Sequence, residues 1–88
     1  MERSVSVQVM LFASHREVFG ESRLELLVPE GTSVEALYTE LARERPRMKE
    51  LRPFTTFAVN REVVDSSTIV HDGDEVALLQ PVSGGGDD

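Results

Sequence analysis

Two short stretches near opposite ends of this chain, VSVQVMLFA and EVALLQ, carry apolar residues on both of their sides, and they restrict the fold more than anything else in the sequence. In the first, Val5, Val7, Val9 and Leu11 alternate with smaller or polar residues, the period-two pattern of a strand with one strongly apolar face. Towards its end Met10 and Phe12 make the other face apolar as well. In the second, Glu75 to Gln80, Val76 and Leu78 point one way while Ala77 and Leu79 point the other. Strands that are apolar on both faces usually lie in the middle of a sheet, covered above and below. If these two are neighbours there, the residues beyond Pro81 leave from the centre of the sheet and not from an edge.

The chain between them supplies the rest of a sheet and something to cover it. RLELLVP alternates again, with Leu24, Leu26 and Val28 on one side, and with the first strand it reads as a loose hairpin. The intervening ASHREVFG reads as a short turn or a single helical turn ending at Gly20. EGTSVEALYTELARERP is the clearest helix: Val34, Leu37, Tyr38, Leu41 and Ala42 form one apolar stripe at helical spacing. Thr32 with Glu35 three residues later has the form of a capping box, and Pro46 ends the helix near Arg45. RMKELRP reads as an irregular connection, and TTFAVNREVV as a second hairpin turning at Asn60-Arg61, because Asn tolerates the left-handed backbone of tight turns. Asp72-Gly73 signals the turn before the last strand. The predicted fold is α+β: one mixed sheet of four to five strands packed on one main helix, a single domain over residues 1–80 followed by a flexible tail over 81–88.

Composition excludes several kinds of chemistry. There is no cysteine, so this chain has no thiol nucleophile, no thiolate metal site and no disulfide frame. Sixteen acids against nine bases give a formal charge of −7, which disfavours a nucleic-acid surface and favours a basic protein partner. His15 and His71 have no metal-ligand spacing, and no Gly-rich phosphate loop or Ser-His-Asp pattern is present. No apolar stretch is long enough to span a bilayer, and MERSVSVQ lacks the layout of a signal peptide, so a cytoplasmic protein is expected.

Three pieces, in this order and at this spacing, carry a resemblance: the opening VMLFASHREVFG, the AVNREVV hairpin, and DGDEVALLQPVSGG. The chain resembles the molybdopterin synthase small-subunit branch of the ubiquitin-like sulfur carriers, over about Val5 to Gly85. The resemblance implies the β-grasp fold and a terminal glycine carboxylate as the reacting group. It implies an adenylating, E1-like activating enzyme that uses ATP and magnesium, a sulfur donor protein that converts the adenylate to a thiocarboxylate, and the large subunit of the synthase, where the sulfur reaches a pyranopterin precursor during molybdenum cofactor biosynthesis. The isolated chain is expected to bind no cofactor and to catalyse nothing alone.

That chemistry suits the tail. Pro81 to Gly85, extended, reaches roughly 17 Å into a partner's site. Gly84 and Gly85 have no side chain to obstruct a narrow channel, Ser83 is small, and Pro81 and Val82 restrict the direction of exit. The match places the reacting carboxylate on Gly85, yet Gly86, Asp87 and Asp88 follow. Proteolytic trimming is the favoured reading, with Gly86 as the alternative terminus; a remnant of fusion to a large subunit, or loss of carrier activity, are the others. Phe12, Val63 and Leu79 are expected to form an apolar partner-binding patch where the tail leaves the sheet, with Arg16, Glu17 and Arg61 as solvated surface. The same tail would serve a carrier in thiamine, cysteine or transfer-RNA thiolation, and a non-carrier interaction module or ubiquitin-like modifier is the alternative from another class.

Overall fold

A computed structural model describes residues 3–80, and the tail predicted over 81–88 lies outside the described residues. The chain runs β1 (Ser4–Leu11), α1 (Ala13–Phe19), β2 (Arg23–Pro29), α2 (Val34–Glu44), α3 (Met48–Leu51), a 3₁₀ turn (Arg52–Phe54), β3 (Thr56–Val59), β4 (Glu62–Val64) and β5 (Glu75–Leu79). The five strands form one mixed sheet in the order β2-β1-β5-β3-β4. The first and last strands are parallel neighbours at its centre, in register from Gln8↔Glu75 to Leu11↔Leu78, and all other pairings are antiparallel.

One face of this sheet makes the core. Val5, Val7, Val9 and Leu11 of β1, Val28 of β2, Phe57 of β3, and Val76 and Leu78 of β5 are buried against the stripe Val34, Leu37, Tyr38, Leu41 and Ala42 of α2. Burying each Val or Leu contributes about 1.5–3 kcal/mol. The other face is not covered. Along β1 and β5 the alternate residues Ser6, Gln8, Met10, Glu75, Ala77 and Leu79 are only half-buried. The expectation that both faces are covered is therefore corrected: the central position of these strands is right, but Met10, Ala77 and Leu79 belong to an open face.

Three local expectations also change. The helix cap is Ser33, whose Oγ accepts from the Ala36 N–H at 3.0 Å, not Thr32. Gly31, at φ 93°, completes a turn in which the Thr32 hydroxyl donates to the Pro29 carbonyl at 2.6 Å, so Thr32 is already engaged. Glu35, released from any capping box, takes a bidentate grip on Arg52, whose Nε donates to both carboxylate oxygens at 2.9 and 3.0 Å. The Arg52 guanidinium lies over the Phe57 ring at 4.9 Å, and its hydrogen bonds hold the Glu35 carboxyl below the usual carboxylate range. RMKELRP is not irregular: Met48 is fully buried, and its carbonyl accepts from the buried Tyr38 hydroxyl at 2.6 Å. α1 extends to seven residues because His15 and Phe19, one helical turn apart, are both buried. Gly20 ends it in the left-handed conformation at φ 91°, its N–H donating to the Arg16 carbonyl.

His15 is a core residue and joins α1 to the segment before β3. Thr55 Oγ1 donates to the Leu51 carbonyl at 2.7 Å, so it accepts from His15 Nε2–H at 2.8 Å. This fixes the neutral tautomer and leaves Nδ1 buried without a hydrogen-bond partner among the described residues. Burial pushes the His15 pKa below its ordinary 6.5, against a smaller opposing effect of the Phe12 backbone. The unfolded chain takes up this proton near 6.5 and the folded chain does not. Stability should thus be fully present above that pH and decline as pH falls from it towards the folded pKa. Thermal melts across mildly acidic pH should show this slope, and His15→Gln should lower stability at neutral pH but flatten the slope; an unchanged slope would show that another group carries it.

At the start of β5 a set of hydrogen bonds ties three strands together. The Asn60 side chain donates to Asp74 Oδ1 at 2.9 Å and accepts from the Glu75 N–H at 3.1 Å, while the Asn60 N–H donates to the Glu75 carbonyl at 2.8 Å. The Gly73 N–H donates to the Ser6 carbonyl, and the Ser6 N–H donates to Asp72 Oδ1, both at 2.7 Å. Asn60 also has φ 51°, which a side chain other than Asn or Asp adopts at a cost. Asn60→Ala should cost about 2–3 kcal/mol in urea denaturation, and Asn60→Gly, which keeps the backbone freedom and loses only the side-chain bonds, about 1 kcal/mol.

Candidate functional site: the open sheet face at the end of the last strand

The uncovered face is not uniform. Its half next to β2 is polar, with Ser6 Oγ donating to Glu25 at 2.8 Å and Arg23 donating to Gln8 Oε1 at 3.0 Å. Its other half is a shallow depression of about 390 Å³ lined by Met10, Phe12, Ala58, Val63, Ala77 and Leu79, with Arg23, Arg61 and Glu75 among its charged lining residues. Sheet register makes it. Ala58 pairs with both Ala77 and Val63, and Met10 pairs with Ala77, so four strands contribute small or flexible side chains to one floor.

The three apolar residues expected at a partner surface all line this depression. Phe12 is 45% exposed and Val63 71% exposed, whereas Leu79 is half-buried, paired opposite Thr56. Phe12 owes its position to the reversal between β1 and α1, where Ala13 takes φ 49°. Exposed aromatic and branched side chains grouped in this way are the usual mark of a surface that another molecule covers. Pro81, Val82, Ser83, Gly84, Gly85 and Gly86 lie outside the described residues. What the fold fixes is where they begin: Leu79, the last residue of β5, is itself in the depression.

Arg61, read from the sequence as solvated surface, is exposed but also lines the depression. Arg16 and Glu17 are exposed on α1 and are not among its lining residues. Arg23 and Met10 could not be assigned to this surface from sequence, because only the strand register brings them there. A second hollow, of about 250 Å³, lies between α2 and the α3 segment around the Glu35–Arg52 pair, with Tyr38, Thr39, Ala42 and Lys49, on the helical side of the molecule. No cluster of ligand side chains suited to a metal ion occurs among the described residues. Nor, among them, is any helix long and apolar enough to cross a membrane.

Comparison with known proteins agrees with this architecture. The chain is 38% identical to the molybdopterin synthase sulfur carrier subunit of Arabidopsis thaliana, over 93% of this chain and 85% of the relative. A solved structure of a putative molybdopterin converting factor, subunit 1, from Pyrococcus furiosus superposes with a TM-score of 0.82 at 31% identity, covering 90% of this chain and all of that one. A protein–protein complex of subunits 1 and 2 of the molybdopterin-converting factor from Helicobacter pylori contains a chain similar to this one, at 26% identity and TM-score 0.64, covering 92% of this chain and all of that one. These neighbours give the fold as the ubiquitin-like β-grasp. The profile of the ThiS family matches residues 9–85, from within β1 to the second glycine of the tail, and the chain belongs to that family.

Proposed function

We propose that this chain is the sulfur carrier subunit of a molybdopterin synthase, acting in the cytoplasm, with the main-chain carboxylate of Gly85, freed by proteolytic hydrolysis of the Gly85–Gly86 peptide bond, as the group that carries sulfur. The observation that carries this reading is positional. The family match runs to Gly85 and leaves Gly86, Asp87 and Asp88 beyond it, while Leu79, the last residue of β5, lies in an exposed apolar depression. Gly86 is the alternative terminus.

The chemistry divides between partners. A carboxylate is a poor acyl donor until its oxygen becomes part of a good leaving group. An activating enzyme using ATP and magnesium supplies this by forming the acyl adenylate and releasing pyrophosphate. Sulfur delivered at the sulfide level by a donor protein attacks the acyl carbon, displaces AMP and leaves a thiocarboxylate. The large subunit then takes the tail into its own site, where the thiocarboxylate sulfur bonds to the pyranopterin precursor and water then cleaves the acyl–sulfur bond, leaving the sulfur on the precursor and returning the Gly85 carboxylate. The contribution of this chain is a stable body, a docking face and a thin tail. Gly84 and Gly85 let backbone approach closely, and Pro81 and Val82 reduce the entropy lost when the tail is threaded. The Helicobacter pylori complex of subunits 1 and 2 supports a large-subunit partner, and the Phe12, Val63 and Leu79 face is the surface offered to it.

Intact mass measured on protein from its native cells tests the tail. The expected species ends at Gly85, or at Gly86, and a fraction is heavier by the difference between sulfur and oxygen; a population retaining Asp87 and Asp88 during active cofactor synthesis would exclude the mechanism. Removing Gly85 and everything after it should abolish sulfur transfer and leave the thermal melt unchanged, since no described core residue lies beyond Leu78. Leu79→Glu should weaken binding to the large subunit by about tenfold or more, as expected for a charge placed in an apolar interface centre, with circular dichroism confirming an intact fold; unaltered affinity would move the docking surface elsewhere.

A further inference from the structure

The hairpin between β3 and β4 turns through Asn60 at φ 51° and Arg61 at φ 74°. A two-residue turn with both φ values positive strongly favours glycine at its second position, because a Cβ there crowds the backbone. The Asn60 choice has a structural reason in its bonds to Asp74 and Glu75. Arg61 has none of that kind: no hydrogen bond or ion pair of its side chain occurs among the described residues. It is exposed, and it lines the apolar depression at the end near Glu75. A guanidinium with no partner among the described residues is thus held in an unfavourable backbone conformation on a turn that is itself clamped to the sheet. Strain kept without a local return points to a use outside the fold.

The surrounding charge indicates the use. The chain as a whole carries −7, yet among the described residues the charged ones lining the depression are Arg23, Arg61 and Glu75. Arg23 comes from the β2 side and donates only to the neutral Gln8 amide, so neither guanidinium is neutralised by a carboxylate among the described residues. Beyond about 8 Å, charges on the rest of the surface are largely screened at physiological salt. A molecule docking here therefore meets two guanidiniums without a carboxylate partner among the described residues at the edge of an apolar floor.

We propose that Arg61, with Arg23, selects a protein partner that presents carboxylates around an apolar centre, and that Arg61 is kept in a strained turn for this purpose. The basic partner suggested by the net charge is the wrong complement for this face. The proposal rests on the sulfur-carrier reading only in taking the large synthase subunit as that partner. Rim charges of this kind govern association rate and its salt dependence more than dissociation.

The test uses the full chain and the large subunit from the same organism, with stopped-flow association at low and high salt, and thermal melts of the free carrier. Arg61→Gly should raise the melting temperature by about 2–5 °C by relieving the turn. It should also slow association by about three- to tenfold at low salt, a gap that closes near half-molar salt. Arg61→Lys, which keeps the charge, should associate at close to the wild-type rate, and Arg61→Glu should be slower than Arg61→Gly. If Arg61→Gly associates as fast as wild type while Leu79→Glu is impaired, the docking face stands and the role of Arg61 is overturned. A slowing that persists unchanged at high salt also overturns it, because the effect would not be electrostatic. Normal binding by Leu79→Glu would overturn the docking face and the Arg61 proposal together.

Discussion

Parallel pairing of β1 with β5 joins the two ends of the folded chain in the middle of one sheet, and the geometry of the candidate site follows from it. Strands paired in parallel cannot be linked by a tight turn, so everything from α1 to β4 acts as one long connection between them. Closing so large a loop has an entropic cost that grows only slowly with length. It is offset by Val7, Val9, Val76 and Leu78, which are completely buried across this one pairing. The consequence is mechanical. The segment after Leu79 begins at a strand paired on both sides, so a partner pulling on it loads the sheet centre and not an edge that could peel.

The same pairing needs its register fixed, because a slip of one residue would exchange the core face for the open one. Ser6, Asp72, Gly73, Asp74 and Asn60 do this at the start of β5, with hydrogen bonds between β1, the turn before β5, and the β3–β4 turn. AVN and DGDE are therefore two halves of one device, although they stand far apart in sequence. Their contribution to function is to hold Met10, Ala77 and Leu79 outward, so that the open face and the tail origin coincide.

What could be read from the sequence follows from how local each cause is. Strand alternation, the α2 stripe, Gly20, Pro46 and the Asn60 turn each have a cause within a few residues, and each reading agrees with the fold. The one-residue error at the α2 cap arose because Gly31 commits Thr32 to a preceding turn, which a capping pattern does not encode. Met48 stands among charged residues in the sequence, and its burial, with its carbonyl accepting from the Tyr38 hydroxyl, is a tertiary feature that local patterning does not show. At the site, Phe12 and Leu79 stand out because each adds a second apolar face to its strand, whereas Val63 enters through the family resemblance, and all three line the depression. Arg23 and Met10 could not be assigned there from sequence, because their place depends on which strands are neighbours, and Glu35 and Arg52 had no local signal of their pairing. The ThiS family match extends the legible part to Gly85, where periodicity has ended.

Every non-glycine residue with positive φ among the described residues, namely Ala13, Asn60 and Arg61, adjoins the open face. Each costs on the order of 1 kcal/mol relative to an unstrained backbone, Asn least. A domain of this size has only about 5–10 kcal/mol in hand, so the sum is not small. Relief would be simple at Ala13 and Arg61, where glycine would take the same backbone without the loss of side-chain bonds that it would bring at Asn60. The strained positions have in common that they aim side chains. Ala13 sets the reversal that leaves Phe12 over the depression, and Asn60 and Arg61 set the tip that carries a guanidinium to its rim. A folding optimum would remove this strain, and a docking surface explains its retention: the stability given up around the face is the part of the fold shaped by the partner and not by the core.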